Sequence, residues 1–314
     1  MKFRRAELHN HSTESDGTMS VAELIDYAVE HRFETLALTD HNTYSGHRKV
    51  AGALAGKPLD VILGVETTTF FGHILCLGYG AGSDWMSLNP YAPEGLLKYL
   101  KHQGALIGLA HPMCIGEPIS VGCQCTMKIH DYSLLDYIEV VNTAAGDTLM
   151  GNAQALALWE ELLFEGYRLA AVTGKDIHQP PAQLENLFTT FAQVDEETDN
   201  ADGVLQAIRT QKTIISKGPL PYVAAQEGDT VQIQVDNTNP YDSWPEKLGG
   251  IAPVMELVTG PGQSQISREP WNAPFTFQIP ASCRCLLVKL YDGTCDYRHL
   301  LAVSAPFYPG EAQL

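Results

Sequence analysis

Histidine and carboxylate side chains recur in short polar clusters along the first two-thirds of this 314-residue chain. Neutral imidazole and carboxylate are ligands that suit Zn²⁺, Mn²⁺ and Fe²⁺. The candidate ligands are His9, His11, Asp16, His41, Glu66, His73, His111, Asp176 and His178. One zinc ion takes about three or four protein ligands. The set is too large for a single ion and predicts a centre of two to three divalent metal ions (Mn, Fe or Zn).

Two of these clusters have a spacing that favours metal binding. Residues i and i+2 of a strand point to the same side, so His9 and His11 can hold one ion together. Asp176 and His178 repeat this spacing further along the chain. Each cluster alone has an ordinary explanation as a turn, a helix cap or a solvated strand end. The prediction depends on their co-occurrence, and the other five histidines are interpreted as ordinary: His31, His47, His102, His130 and His299.

Nearly all the clusters stand at the end of a short apolar run, which we predict to be a buried strand. These runs are Arg5–Leu8, Thr35–Leu38, Asp60–Leu63, Ile74–Leu77, Ala105–Leu109, Tyr137–Val141 and Leu169–Val172. Cap and breaker residues predict helices over Val21–Arg32, between Pro93 and Gly104, and over Asn152–Glu165. Alternating strands and helices indicate an α/β domain with a mostly parallel sheet or barrel. The carboxyl ends of barrel strands meet on one face, where catalytic sites are found.

The pattern changes after Pro219. Val231, Ile233 and Val235 alternate with polar residues, as in a half-buried strand. Further strands are predicted at Met255–Val258, Phe275–Ile279, Leu286–Tyr291 and Leu300–Val303. We therefore expect two domains, residues 1–218 with the metal centre and residues 219–314 as a small antiparallel β-sandwich without a helix. Three of its aromatic residues favour core packing over a carbohydrate groove: Tyr241, Trp244 and Trp271.

Composition restricts the partners and the compartment. The formal net charge of −17, with 20 Lys+Arg against 37 Asp+Glu, argues against long nucleic acid as a partner but leaves a small anionic substrate open. No stretch approaches the roughly 18 apolar residues of a membrane span. The first residues show no secretory signal, so the seven cysteines are expected to be reduced in the cytoplasm. Cys123 and Cys125 are an alternative metal pair that lacks matching partners.

The clusters together resemble the motifs of the PHP (polymerase and histidinol phosphatase) family, over about residues 3–218 and in the family's order. The matching segments are His9-Asn10-His11-Ser12 with Asp16-Gly17-Thr18, Thr39-Asp40-His41-Asn42, Gly64-Val65-Glu66, His73-Ile74-Leu75, Ala110-His111-Pro112 and Gly174-Lys175-Asp176-Ile177-His178. The resemblance implies a metal-dependent phosphoesterase on a distorted seven-stranded TIM-like (β/α) barrel. The tail Leu301–Tyr308 is similar to the closing strand of a β-sandwich in members that are sometimes grouped with carbamate-hydrolysing enzymes.

The resemblance also implies a ligand set for three ions. His9, His11, Glu66 and Asp176 would hold the first ion, and Asp16, His41 and His178 the second. Glu66 would bridge to a third ion, completed by His73 and His111. Asp40 would orient a ligand imidazole through its other nitrogen. An aspartate at position 16 is typical of the branch that cleaves nucleotide 3′,5′-bisphosphates and short oligonucleotides.

Two departures from the family pattern concern the substrate. Lys175 stands where a small residue is usual, which predicts a more basic rim. Only 37 residues separate His73 from His111, too few for the insertion that caps the substrate in the bisphosphatase branch. This spacing argues against a nucleotide substrate. Lys175, Lys217 and Arg4 or Arg5 are candidates to contact a substrate phosphate, with plain surface charge as the alternative.

The working hypothesis is hydrolysis of a phosphate mono- or diester, on a small or nucleotide-like substrate, by a hydroxide that bridges two ions, without a protein nucleophile. One alternative keeps the centre and changes the bond to a carbamate, ester or amide. Another is a metal-binding scaffold that is not an enzyme. The loop Gly116–Asp131 is either a lid over the site or a plain connection. The oligomeric state is left open.

Overall fold

The computed structural model describes residues 2–80, 86, 88–115, 123–143, 149–180, 187–239 and 244–311. Their strands are β1 Lys2–Glu7, β2 Thr35–Leu38, β3 Asp60–Thr69, β4 Gly72–Leu77, β5 Leu106–Leu109, β6 Tyr137–Asn142, β7 Ala170–Gly174, β8 Thr189–Val194, β9 Thr213–Ser216, β10 Leu220–Glu227, β11 Thr230–Asp236, β12 Pro253–Gly260, β13 Gln263–Ser267, β14 Phe275–Gln278, β15 Leu287–Asp292 and β16 Leu300–Val303. Their helices are α1 Val21–Glu30, α2 His47–Leu54, α3 Glu94–His102, α4 Leu149–Glu165, α5 Ala201–Arg209 and α6 Trp244–Lys247. The fold is mixed α/β, as predicted.

The three predicted helices are confirmed, and local chemistry explains where they begin and end. At α1 the Ser20 side chain accepts from the backbone N–H of Glu23, while the Glu23 side chain accepts from the backbone N–H of Ser20. Pro93 precedes α3, and Gly104 follows it with a φ of +91°, a conformation that glycine adopts without strain. The α2 and α5 helices are additional to the sequence prediction.

The first seven strands are neighbours in one sheet, in chain order. The pairs β1–β2–β3 and β5–β6–β7 are parallel, whereas β4 is antiparallel to both β3 and β5. The ends of β1 and β7 meet through one isolated bridge, in which His11 N–H donates to Ile177 O at 2.9 Å. The hairpin at β4 interrupts the regular alternation of strand and helix that a TIM barrel has.

Two strands missing from the sequence prediction connect this sheet with the C-terminal part. β8 pairs with β1, and β9 pairs with β8 on one side and with β16 on the other, all antiparallel. The large sheet therefore continues through β16, β15, β12 and β13 without a break. A separate antiparallel sheet of β10, β11 and β14 packs on it through an apolar core that includes Val231, Ile233, Leu257 and Val288.

The expectation of a C-terminal part without a helix is wrong. The short helix α6 begins at Trp244, which is 2% exposed and packs in the core between the two sheets. A Cβ at Gly218 would lie 2.4 Å from the Trp244 ring, so the glycine lets the indole approach the backbone. Within the described residues, no helix has the length and apolarity needed to cross a membrane.

Candidate metal centre

The end of β1 carries two candidate ligands into the interior. His9 and His11 are both fully buried. Ile177 pairs with Asn10, the residue between them. Ile177 N–H donates to His9 O at 3.3 Å, while its carbonyl accepts from His11 N–H. This bridge places Asp176 and His178, which flank Ile177, beside the two histidines. Residues that are more than 160 positions apart in the sequence thus meet at one point.

The deepest group of ligand atoms contains His9, His11, Glu66 and Asp176. His9 Nε2 lies 3.2 Å from Glu66 Oε2 and 3.5 Å from Asp176 Oδ1. His11 Nε2 lies 2.9 Å from Asp176 Oδ1 and 3.4 Å from Glu66 Oε2. All four atoms are inaccessible to solvent and none makes a hydrogen bond. Since buried polar atoms are normally paired, their convergence fits a cation held between them.

A second group lies at the mouth of the centre. Asp16 Oδ1 lies 3.3 Å from His178 Nε2 and 3.6 Å from His41 Nε2, and His11 also faces this group. The Asp16 side chain is 59% exposed, whereas His9 and His11 are fully buried. The mouth group is therefore the most exposed part of the candidate centre.

The loop that carries Asp16 is held by Asp40. Asp40 Oδ1 accepts from Ser12 N–H and from Ser15 Oγ, each at 2.7 Å, and Oδ2 accepts from Ser12 Oγ at 2.8 Å. The prediction that Asp40 orients an imidazole is wrong in this structure. The groups that bind the Asp40 carboxylate are the N–H and hydroxyl of Ser12 and the hydroxyl of Ser15, not an imidazole. Asp40 therefore helps to position the loop that carries Asp16.

Glu66 joins a third group to the other two. Its Oε1 lies 2.8 Å from His73 Nδ1 and 3.2 Å from His111 Nε2, while its Oε2 lies 2.8 Å from His41 Nδ1. Glu66 is fully buried, and it contacts five of the six candidate histidines. Such a carboxylate can bridge ions that lie on its two sides.

Charge in the centre favours bound cations. Burial opposes the protonated form of His9, but Asp176, Glu66 and Glu139 outweigh burial and raise the pKa of His9 well above its usual range. Burial likewise opposes protonation of His111, yet Glu66 and Asp176 raise its pKa to about 9. Burial would raise the pKa of Glu66, but His9 and His111 hold it well below its usual range. The carboxylates thus stabilise positive charge at this point, and a metal ion would take the place of the protons.

Residues 7–145 match the model of the PHP domain family. This segment of the chain is therefore similar to the PHP domain. The chain is 32% identical over 109 residues to a 3′,5′-nucleoside bisphosphate phosphatase of Chromobacterium violaceum, covering 33% of this chain and 38% of that protein. It is 40% identical over 65 residues to the 5′-3′ exoribonuclease Rnm of Escherichia coli K12, covering 20% of this chain and 22% of that protein. These matches span well under half of either relative.

The fold is also similar to that of a two-domain protein from Bacteroides vulgatus, described as containing a predicted PHP-like metal-dependent phosphoesterase. The TM-score is 0.56 at 15% sequence identity, and the similarity covers 98% of this chain and 95% of that one. At this identity the likeness concerns the fold. It extends beyond the PHP domain and includes the C-terminal strands.

Three imidazoles of the candidate ligand set are held by hydrogen bonds from their Nδ1 atoms. His9 Nδ1 donates to Glu139 Oε2 at 2.7 Å, His111 Nδ1 to the carbonyl of Cys123 at 3.0 Å, and His178 Nδ1 to the carbonyl of Asp176 at 2.9 Å. Each bond leaves Nε2 as the ring nitrogen that faces the centre, where His111 Nε2 lies 3.2 Å from Glu66 Oε1. In His9, this atom faces the deep group.

Glu139 is a functional residue that the ligand prediction missed. It is 1% exposed, and its Oε1 accepts from Asn142 Nδ2 at 2.6 Å. Gly174 makes room for it, because a Cβ there would lie 2.6 Å from His9 Cβ and 2.8 Å from Glu139 Oε2. Glu139 lies on the predicted strand Tyr137–Val141, which was the available signal in the sequence. Because Glu139 and His9 are far apart in the chain, their contact could not be predicted from the sequence.

Two of the five described non-glycine residues with a positive φ are candidate ligands. Asp176 has a φ of 51° and His111 a φ of 29°, in the region that side chains other than glycine rarely adopt. Each residue lies two positions after the end of a strand, His111 after β5 and Asp176 after β7. The strained backbone turns each side chain toward Glu66 or the buried histidines rather than along the strand.

The predicted phosphate-binding cations do not form a basic rim. Lys175 is 3% exposed, and its Nζ donates to Phe188 O at 3.0 Å and to Thr189 Oγ1 at 3.3 Å, inside the domain. Arg4 is 6% exposed near the start of β1, the end opposite His9, where it contacts Asp60 and Asp199. Both side chains are thus buried and paired inside the domain, Arg4 at the far end of the strand that leads to His9, and their contact with a substrate stays a prediction.

Lys217 and Arg5, the other candidates for phosphate binding, each stack on an aromatic ring. Lys217 Nζ lies 4.6 Å from the ring centroid of Phe188. Arg5 lies 4.2 Å over the ring of Phe33 and donates to His31 O, near the start of β1. Both contacts are structural stacking on an aromatic ring.

The cysteines form no cluster with the ligands. Among the described residues, every group that could hold a metal consists of histidine, aspartate and glutamate. Of the predicted lid Gly116–Asp131, residues 116–122 lie outside the described residues. The described part is joined to the centre, since Cys123 O accepts from His111 and Cys125 N–H donates to Pro112 O at 2.9 Å.

Proposed function

We propose that this protein hydrolyses small phosphate esters at a centre of two to three divalent metal ions (Mn, Fe or Zn). The observation that carries the proposal is the set of buried, unpaired ligand atoms that converge at His9, His11, Glu66 and Asp176. Unpaired buried polar atoms are costly, and this cost is tolerated where a cation binds. The PHP domain and its phosphatase and exoribonuclease relatives support phosphoester chemistry.

The ligands divide into three overlapping sets. In this proposal His9, His11, Glu66 and Asp176 hold one ion and Asp16, His41 and His178 hold a second. Glu66, His73 and His111 hold a third. The short distances from Glu66 to His73 and His111 support the third set. His111 also groups with His9 and Asp176, and His73 with His41 and Glu66, so the sets share members. Imidazole and carboxylate donors without thiolate suit Mn²⁺, Fe²⁺ and Zn²⁺.

The bound ions would supply a Lewis acid for the phosphoryl oxygens and a water of lowered pKa. The side chains of this domain position the donors for that chemistry. Glu139 fixes the tautomer of His9, and Asp40 holds the loop of Asp16. Asp16 is the ligand most open to solvent, so we infer that the substrate approaches from its side.

The substrate is proposed to be a small phosphate ester. Lys175 donates to Phe188 O and Arg4 pairs with Asp60. We therefore propose that the metal ions neutralise the charge of the phosphate. The net charge of −17 argues against a long polyanion. The short spacing between His73 and His111 argues for a simpler ester than the nucleotides named for the relatives.

We also propose that residues 1–218 are a seven-stranded PHP barrel and that residues 219–314 are a β-sandwich. The bridge between Asn10 and Ile177 supports the closure of the ring at the metal end. The core between β11, β12 and β15 supports the sandwich.

The test combines metal analysis with a substrate panel. Protein purified without added metal is analysed for Mn, Fe and Zn, then assayed on p-nitrophenyl phosphate, bis-p-nitrophenyl phosphate and a naphthyl carbamate, before and after chelation. We expect two to three equivalents of metal and phosphoesterase activity that is lost on chelation and restored by metal. Carbamate turnover with both phosphates inert, or less than half an equivalent of recoverable metal, contradicts the proposal.

Two variants make the test specific. Asp176→Asn removes a buried ligand and is expected to lower both metal content and activity at least tenfold. His102→Ala removes an exposed histidine of α3 that lies outside the ligand groups, and it should change neither. Equal loss in both variants would indicate damage to the fold rather than to the centre.

A further inference from the structure

A second cleft lies at the opposite end of β1 from the metal centre. Its volume is about 790 Å³, and it opens between the start of β1, the end of β11 and the segment 271–274. Phe3 lines it, whereas His9 follows the other end of the strand. At about 3.3 Å per residue, the two sites are roughly 20 Å apart. Ligand sites commonly have volumes of about 300–1,000 Å³ and lie between packed units.

Aromatic side chains form one wall of this cleft. The rings of Phe3 and Tyr222 lie 5.7 Å apart at an angle of 55°, and both residues are only half-buried. Trp271 lines the cleft at 5% exposure, and its Nε1 has no hydrogen-bond partner among the described residues. A buried indole N–H without an acceptor is unusual and favours a bound acceptor.

Neutral polar groups surround these rings. The hydroxyl of Tyr222 donates to Gln234 Oε1 at 2.7 Å, so the amide of Gln234 keeps its N–H donors for another partner. Asn237, Thr238 and Asn272 also line the cleft. The amide groups of this wall donate and accept hydrogen bonds without a net charge.

The charged groups at the cleft are already engaged. Lys2 Nζ lies 2.5 Å from Asp199 Oδ2 and 3.3 Å from Glu34 Oε1. Asp236 Oδ1 accepts from both the backbone N–H and the hydroxyl of Thr238. Lys2 is the one basic residue among those that line the cleft in the described structure, and two carboxylates face it. The cleft therefore disfavours an anion such as a phosphate.

We propose that this cleft binds a neutral saccharide. Aromatic faces pack on the C–H surface of a sugar ring, and amide groups pair with its hydroxyls, which are both donors and acceptors. An anionic ligand lacks a free cation here. A lipid chain would leave the N–H groups of Gln234 unpaired, whereas the amide of Asn237 is already paired with Trp271 O and Trp244 Nε1. The proposal is independent of the chemistry at the metal centre and adds a second ligand to the protein.

The experiment measures binding of neutral disaccharides to the full-length, metal-loaded protein. Cellobiose, maltose and chitobiose are titrated by calorimetry and by ligand-observed NMR, with glucuronic acid and adenosine as contrasting probes. We expect at least one neutral disaccharide to bind more tightly than both contrasting probes. Tyr222→Ala should weaken that binding by roughly tenfold or more, because an aromatic contact is lost. Gln234→Ala should weaken it to a smaller extent.

Two controls separate binding from folding. Tyr91→Ala removes a 74%-exposed tyrosine outside the cleft and should leave sugar binding unchanged. Metal content and thermal stability report whether Tyr222→Ala is folded, and Gln234→Ala tests the same wall if it is not. The proposal would be overturned by any of three results. The first is no disaccharide binding at 10 mM, and the second is binding by the Tyr222→Ala and Gln234→Ala proteins as tight as that of the parent. The third is tighter binding of adenosine or glucuronic acid than of any disaccharide.

Discussion

Replacement of Glu139 by glutamine tests how the centre is pre-organised. Glu139 accepts two hydrogen bonds, from His9 Nδ1 at 2.7 Å and from Asn142 Nδ2 at 2.6 Å. A glutamine has one oxygen, so it keeps only one of these bonds and turns an N–H donor toward the other partner. If the donor faces His9, the imidazole must accept at Nδ1. Its proton then moves to Nε2, the atom that should bind metal.

The expected magnitude follows from the burial of this pair. Glu139 and His9 are at most 1% exposed, so water cannot replace the lost partner. Loss of such an outer hydrogen bond to a metal-binding histidine typically costs 10–100-fold in metal affinity. This range corresponds to about 1.4–2.7 kcal/mol. We expect Glu139→Gln to lie within it while the protein remains folded.

The assay is a competition titration of metal-free protein with a chromophoric chelator, for Zn²⁺ and Mn²⁺. Glu160→Gln is the matched control, because Glu160 is a largely buried carboxylate paired with Lys289 outside the centre. The control should bind metal within about twofold of the parent. Parental affinity in a folded Glu139→Gln protein would refute the role assigned to Glu139, and so would an equal loss in the control.

Three further predictions concern the same centre. Gly174→Ala should lower both metal affinity and melting temperature, since the new Cβ would lie 2.6 Å from His9 Cβ, whereas Gly52→Ala, with nothing within 4 Å, should be neutral or slightly stabilising by thermal denaturation. In the metal-free protein the pKa of His111 is raised from 6.5 to about 9, so its stabilising contribution is complete below pH 6.5 and is lost as pH rises through 9. The melting temperature with chelator should fall over this interval while metal affinity rises; a flat profile for both would contradict the ion pairs. Asp40→Ala should release the loop of Asp16 and lower metal stoichiometry by about one equivalent, and unchanged stoichiometry would show that the loop needs no such support.

Much of the fold could be predicted from local sequence patterns. The capping box at Ser20 and the Pro93 and Gly104 boundaries depend on neighbouring residues, so they could be predicted. The i, i+2 spacing of His9 and His11 likewise needs only strand geometry. Most of the nine candidate ligands lie near the ends of predicted strands, so their meeting in contiguous groups could be expected; Asp16, in a loop, and His73, near the start of β4, are exceptions.

Long-range features could not be predicted in the same way. The β8 strand is held by backbone pairs between distant residues, such as Arg5 with Phe191. Its own sequence begins with two threonines rather than with an apolar run, so no local pattern marked it as a buried strand. Lys175 follows β7 beside the ligand Asp176, yet its side chain turns inward to Phe188 O. The contact between Glu139 and His9 depends on the missing side chain of Gly174. In each case the decisive partner is set by packing rather than by local pattern.

The pairing of β16 with β9 has a consequence for how the chain is made. β9 ends at Ser216, but the residues that cover its outer edge, Ala302 and Val303, are synthesised more than eighty positions later. At about 5–20 residues per second, that edge stays bare for roughly 4–17 seconds on a ribosome. A bare strand edge is a template for wrong pairing. A chain cut at residue 218 would keep that edge permanently, so an isolated metal-binding half should aggregate rather than behave as a free-standing module.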